Sequence, residues 1–136
     1  PSDMQGRSLL PLMEDKPTAL WRRSMYYHFY EYPGWHYVKR HYGVRTERFK
    51  LIHFYHDIDA WELYDLETDA QELNNLVADP AYAAVRAELE DELARLQNQY
   101  GDSPELAREI LQRYPHGSRP PWGRAVNFRD WLEQQR

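Results

Sequence analysis

His41-Tyr42-Gly43-Val44-Arg45-Thr46-Glu47-Arg48-Phe49-Lys50-Leu51-Ile52, followed by Trp61-Glu62-Leu63-Tyr64-Asp65-Leu66, decides the fold of this chain. Both runs alternate apolar and polar residues, which is the pattern of a strand with one buried face. Between them, His53 to Ala60 carries turn chemistry at Asp57-Ile58-Asp59. Upstream, Ser24-Met25-Tyr26-Tyr27-His28-Phe29-Tyr30 is a further strand candidate, ended by the turn pair Pro33-Gly34. Eight of the eleven tyrosines and five of the six histidines fall between residues 24 and 66, so the ring chemistry of the chain is concentrated in this sheet.

Residues 21–66 therefore read as three or four strands with short connections, best paired antiparallel. Tyr26, Tyr27, Phe29 and Tyr30 put rings on both faces of the first strand. A sheet of that kind is covered on both faces or exposes a sticky patch. One cover comes from the chain itself. Asp79 is placed to cap and Pro80 to open a helix in which Tyr82, Val85, Leu89, Leu93, Leu96 and Tyr100 form one apolar stripe, stopped by Gly101. The other cover is expected outside this chain. Asn74-Asn75 is read as the left-handed end of a short turn after Thr68-Asp69. Ser103-Pro104 opens a second helix to about Arg113, and Asn127 caps a last short one; Tyr114 to Gly123 suits neither helix nor central strand. The fold class is α+β: a small antiparallel sheet packed by a long helix, with a helical and irregular tail over 103–136.

Composition narrows the function. A chain of 136 residues can bury one real core. A net charge of −5 argues against general nucleic-acid binding, which needs a basic face. No apolar run approaches the roughly 18 residues of a membrane span. The absence of cysteine removes disulfides, thiolate metal sites and a thiol nucleophile. The start at Pro1-Ser2-Asp3 reads as a cut from a longer protein, with residues 1–20 as a linker laying Leu9, Leu10, Leu12 and Met13 on an upstream domain.

Chemistry is sparse. His53 and His56 lie at odd spacing and point to opposite faces of a strand, so no metal site is expected. No serine sits in a nucleophile elbow and no glycine loop cradles phosphate. What remains is the cluster Trp35, His36, Tyr37, Lys39, Arg40, His41 and Arg45. Flat rings stack on sugars, and guanidinium forks bind carboxylate or sulfate. The same residues also suit a ring-rich loop packed against another domain, with its cations solvated.

The two quoted runs, with Glu67-Thr68-Asp69-Ala70-Gln71-Glu72-Leu73-Asn74-Asn75-Leu76 after them and Asp3-Met4-Gln5-Gly6-Arg7-Ser8-Leu9-Leu10-Pro11-Leu12 before, resemble the C-terminal subdomain of type I sulfatases. The branch is that of N-sulphoglucosamine sulphohydrolase and bacterial glycosaminoglycan sulfatases. The likeness covers about residues 1–102; Ala70 departs from it, standing where the family has proline. It implies a four-stranded antiparallel sheet packed by a long helix over 21–102, joined by 1–20 to an alkaline-phosphatase-like catalytic domain that hydrolyses sulfate esters or sulfamates on sugars. It further implies that the formylglycine nucleophile and the calcium ion belong to that upstream domain. Ser118-Arg119-Pro120-Pro121-Trp122 lacks the arginine of the modification motif. On this resemblance His41 is the first candidate for a sugar contact, with Lys39, Arg40 and Trp35 behind it, and Arg45 is structural, paired with an acid at the domain seam. Catalytic and metal-binding residues are not expected here. The expected partners are the catalytic domain and the sulfated sugar, with self-association as a further one and neither nucleic acid nor membrane. The implied compartment is periplasmic, secreted or lysosomal, with the cytoplasm as the alternative. The competing readings are a stand-alone carbohydrate-binding or interaction module and a purely structural lid.

Overall fold

The computed structural model describes residues 5–15, 21–32 and 38–113. The Pro33-Gly34 turn, Trp35, His36, Tyr37, the Tyr114–Gly123 stretch and the helix expected after Asn127 lie outside the described residues. A single turn of helix, α1 (Leu10–Met13), precedes four strands, β1 (Ser24–Phe29), β2 (His41–Thr46), β3 (Phe49–Phe54) and β4 (Ala60–Asp65). They form an antiparallel sheet in the order β1-β2-β3-β4. A 3-10 turn (Pro80–Tyr82) leads into α2 (Ala83–Tyr100), and α3 (Pro104–Arg113) follows. The α+β reading and the four strands are what the structure has.

The register assigns every side chain to a face. Tyr26, Val44, Leu51 and Leu63 lie opposite one another across the four strands, as do His28, Tyr42, His53 and Trp61. This face packs on α2: Val44, Leu51 and Leu63 are fully buried, and they meet the buried Leu89, Leu93 and Leu96 of the helix stripe. The ends of α2 follow the sequence logic. The Asp79 carboxylate accepts from Ala81 N–H at 2.9 Å with Pro80 just inside, and Gly101 closes the helix at φ +68°, which a residue without Cβ adopts at little cost. Ser24 and Glu92 are hydrogen-bonded, tying the start of β1 to the middle of α2.

The opposite face carries Met25, Arg45, Lys50 and Tyr64, then Tyr27, Gly43, Ile52 and Glu62, then Phe29, His41, Phe54 and Ala60. At its centre the Tyr27 ring lies over Gly43, where a Cβ would overlap both that ring and the Leu51 carbonyl oxygen. Glycine is needed there for close packing and not for an unusual φ.

The segment after β4 departs from expectation in one detail. The left-handed residue is Glu72 (φ +56°), not Asn74 or Asn75. Asp69 takes the amides of Leu73 and Asn74, at 2.8 and 2.7 Å, and Lys50 holds Glu72 at 2.6 Å. Asn75 does other work: its amide accepts from Leu63 N–H and donates to the Trp61 carbonyl, both groups of the edge strand β4. With Leu76 N–H donating to Leu63 O, the loop blocks an edge that could otherwise pair with another chain. No helix among the described residues is long and apolar enough to cross a membrane.

Candidate ligand-contact site

At the β2 entry, three chain segments meet. Arg40 is almost fully buried; its Nη1 donates to Asp57 at 2.8 Å and its Nε to the Tyr30 carbonyl at 3.1 Å. The Arg40 carbonyl accepts from Tyr55 N–H at 3.2 Å. One side chain thus ties the end of β1 and the exit of β3 to the start of β2. A guanidinium taken out of water needs such partners. Arg40 was a candidate for sugar contact from sequence; in the fold its charge is spent on Asp57, and its effect is to fix the path of Lys39 and His41.

His41, next in the chain, lies on the face away from α2. Phe29 stacks on it at 5.5 Å between centroids, Tyr27 meets it edge-on at 5.9 Å, and Phe54 tilts against it at 5.2 Å. Its Nδ1 is 2.8 Å from the Lys39 carbonyl oxygen. A carbonyl can only accept, so Nδ1 carries a proton and Nε2 is left for a ligand; among the described residues it has no hydrogen-bond partner. Lys39 is half-buried, with Nζ donating to the Tyr32 hydroxyl at 2.5 Å and standing 3.8 Å from the Tyr32 ring centroid. Trp35, the remaining candidate, lies outside the described residues. The site is therefore a ring-framed imidazole with one open nitrogen, beside a partly committed lysine.

A second cluster escaped the sequence reading. His28, on the α2 face, bonds Asp102 through Nδ1 at 2.6 Å and the Tyr55 hydroxyl through Nε2 at 2.6 Å. Tyr26 and Tyr30 donate to the same Asp102 oxygen, at 2.5 and 3.3 Å. Burial by itself would raise the Asp102 carboxyl, but donation from His28 and Tyr26 outweighs it and holds the group below the usual carboxylate range. Burial pushes the Tyr26 and Tyr55 phenols up, and burial together with the Asp102 charge pushes Tyr30 up to about 12. The order Asp–His–Tyr is that of a proton relay, yet a phenol made harder to ionise is a poor nucleophile. The cluster is a knot that fastens the α2–α3 junction to β1. The available signal was parity: His28 shares the buried side with Tyr26, and a buried imidazole needs partners.

His53 is likewise engaged, stacked on Trp61 at 4.0 Å and bonded to the Tyr42 hydroxyl and Asp59. Among the described residues no three metal-ligating side chains converge. At the other end of the sheet, Asp65 is fully buried and takes a two-pronged bond from Arg48, at 3.0 and 2.7 Å. That fork, helped by the Glu67 amide, keeps its carboxyl low against the cost of burial.

Comparison with known proteins decides which family carries this geometry. Residues 1–99 match the family described as N-sulphoglucosamine sulphohydrolase, C-terminal. The chain belongs to that family. Within it, the chain is 53% identical over 113 residues to an N-acetylglucosamine-6-O-sulfatase of Bacteroides thetaiotaomicron, covering 82% of this chain and 20% of the relative. It also resembles the solved structure of BT4656 in complex with its substrate D-glucosamine-2-N,6-O-disulfate (TM-score 0.71, 52% identity), over 76% of this chain and 22% of that one. A phosphonate monoester hydrolase of Agrobacterium radiobacter is similar at TM-score 0.55 and 29% identity, over 70% of this chain and 21% of the other. The chain thus spans about a fifth of the length of these relatives. As a member of the sulfatase C-terminal family, it has the sheet and long helix that the resemblance implied.

Proposed function

We propose that this chain is the C-terminal part of a sulfatase that hydrolyses the 6-O-sulfate ester of a glucosamine unit, and that its β2 entry closes the substrate pocket of a catalytic domain in the same protein. The observation that carries the reading is His41: one ring nitrogen is fixed by the backbone, and the other is open at the edge of a ring-lined sheet face. Identity of 53% to an N-acetylglucosamine-6-O-sulfatase supports the sugar and the position. His41 Nε2 accepts a sugar hydroxyl or, when protonated, donates to one. Lys39 adds a cation within reach of a sulfate, and Trp35 adds a ring. Arg40 holds this loop and does not touch the ligand.

The nucleophile is assigned to the catalytic domain. This chain has no cysteine, and its described residues offer no convergent metal ligands, so they do not fit formylglycine or calcium. Leu9, Leu10, Leu12 and Met13 are exposed around α1, which suits a segment seated on that domain. The test is His41→Ala in the full-length protein, assayed on glucosamine 6-O-sulfate. Losing one substrate hydrogen bond lowers kcat/KM by roughly tenfold; an unchanged ratio removes His41 from the pocket.

A further inference from the structure

Immediately after β3 the chain makes a turn that costs free energy. Asp57 N–H donates to the Tyr55 carbonyl at 2.8 Å, closing a three-residue turn around His56, whose φ is +66°. A turn of this hand is rare and strained for a residue with a Cβ, and it persists only where its surroundings hold it. What holds it is Arg40. The guanidinium donates to Asp57 Oδ1 at 2.8 Å, and the Arg40 N–H reaches Asp57 Oδ2 at 3.4 Å. Tyr55 N–H donates to the Arg40 carbonyl at 3.2 Å, and the Tyr55 hydroxyl is bonded to His28 Nε2 at 2.6 Å. The turn is thus fastened to the knot on the α2 side, and it grips Arg40 at both of its peptide groups.

One of those groups is shared with His41. The peptide joining Lys39 to Arg40 offers its N–H to Asp57 and its carbonyl to His41 Nδ1, the latter at 2.8 Å. We infer that Asp57 is a positioning residue for the ligand contact at His41, acting through this peptide. The inference rests on the reading of His41 as the sugar contact and adds what controls it. The carboxylate holds the peptide plane, and an amide that donates to a charged acceptor accepts more strongly at its other end. The carbonyl therefore keeps the proton on Nδ1, orients the ring and leaves Nε2 as an acceptor. Arg40 carries the same restraint through its side chain, which also holds the Tyr30 carbonyl. The strained turn is the means by which a carboxylate 17 residues from Arg40 in the chain is brought behind the peptide that orients the imidazole.

The experiment is a double-mutant cycle in the full-length protein, with glucosamine 6-O-sulfate as the turnover probe: Asp57→Asn, His41→Ala and both together. Asp57→Asn keeps the shape of the side chain and removes its charge. The expected result is a kcat/KM lowered roughly three- to tenfold, carried by KM, with no further loss when the change is made on top of His41→Ala. Imidazole nitrogen NMR spectra give a readout that does not depend on turnover. The His41 signal, identified by its disappearance in His41→Ala, moves from the Nδ1–H form toward the Nε2–H form in Asp57→Asn. Should Asp57→Asn not fold, Asp57→Glu, which keeps a counter-charge for Arg40 but displaces it by one methylene, takes its place under the same criteria. With His41→Ala impaired, an unchanged kcat/KM or an unchanged tautomer in the folded Asp57 variant overturns the inference. So does a loss that adds in full to that of His41→Ala. If His41→Ala leaves kcat/KM unchanged, the pocket reading fails and the inference falls with it.

Discussion

His28 and His41 sit diagonally across β1 and β2, one register step apart, since His28 pairs with Tyr42 and Phe29 with His41. That single step puts them on opposite faces of the sheet. His28 looks toward α2 and has both nitrogens bonded, one to Asp102 and one to Tyr55. His41 looks away from α2 and has one nitrogen bonded, to its own neighbour's carbonyl. The difference teaches how the two faces divide their work. The α2 face is packed within the chain, with both nitrogens of its histidine matched. The other face is framed in rings and left with an unspent group, as a surface that completes something else should be.

The comparison breaks most sharply if the α2 face is not the one that holds the fold. Leu93 is nearly fully buried between α2 and the sheet, so Leu93→Ala should cost ~2–5 kcal/mol, read as a fall in Tm or denaturant midpoint. A smaller loss than that of changes on the His41 face would reverse the roles assigned to the faces. Gly43→Ala acts on the other face by driving the Tyr27 ring from the position it needs beside His41. It should cost about 1–3 kcal/mol through overpacking and raise KM in the full-length enzyme, whereas Leu93→Ala should leave KM alone where the protein is folded.

Asp102 sharpens the contrast through pH. Its carboxyl is held low in the folded chain, so its stabilisation is complete above the unfolded value and is lost as pH falls through the folded one. Wild-type stability should therefore decline below about pH 4. Asp102→Asn should lose on the order of 1 kcal/mol at neutral pH and show a shallower acid decline, both measured by chemical denaturation across pH. An acid limb unchanged by the substitution would show that the His28 knot does not contribute to it.

These asymmetries differ in how far they could be read from residues alone. The helix was legible because Asp79-Pro80 and the Leu89, Leu93, Leu96 stripe are local signals, and the strands because alternation is local too. The His28–Asp102 bond joins residues 74 apart, which no window along the chain brings together. The Arg40–Asp57 pair is hidden for a related reason: its members are 17 residues apart, and a cation beside a candidate histidine looks free until that pairing is seen. His41 is a candidate by its motif alone; its open nitrogen is not visible in the sequence, because it depends on a carbonyl two residues back.

The smallest effect tests the open nitrogen most directly. His41→Gln and His41→Asn should each change stability by no more than about 0.5 kcal/mol, since neither empties a sealed core site nor strands a buried partner. Their activities should part. A glutamine amide reaches the region of Nε2, while an asparagine amide ends near Nδ1, where it meets only the Lys39 carbonyl. If Nε2 is the atom that meets the sugar, Gln retains part of kcat/KM in the full-length enzyme and Asn falls to the level of Ala. Equal activity in the two would mean that the ring, and not its outward nitrogen, is what the pocket uses. The two histidines would then differ in burial and no longer in purpose.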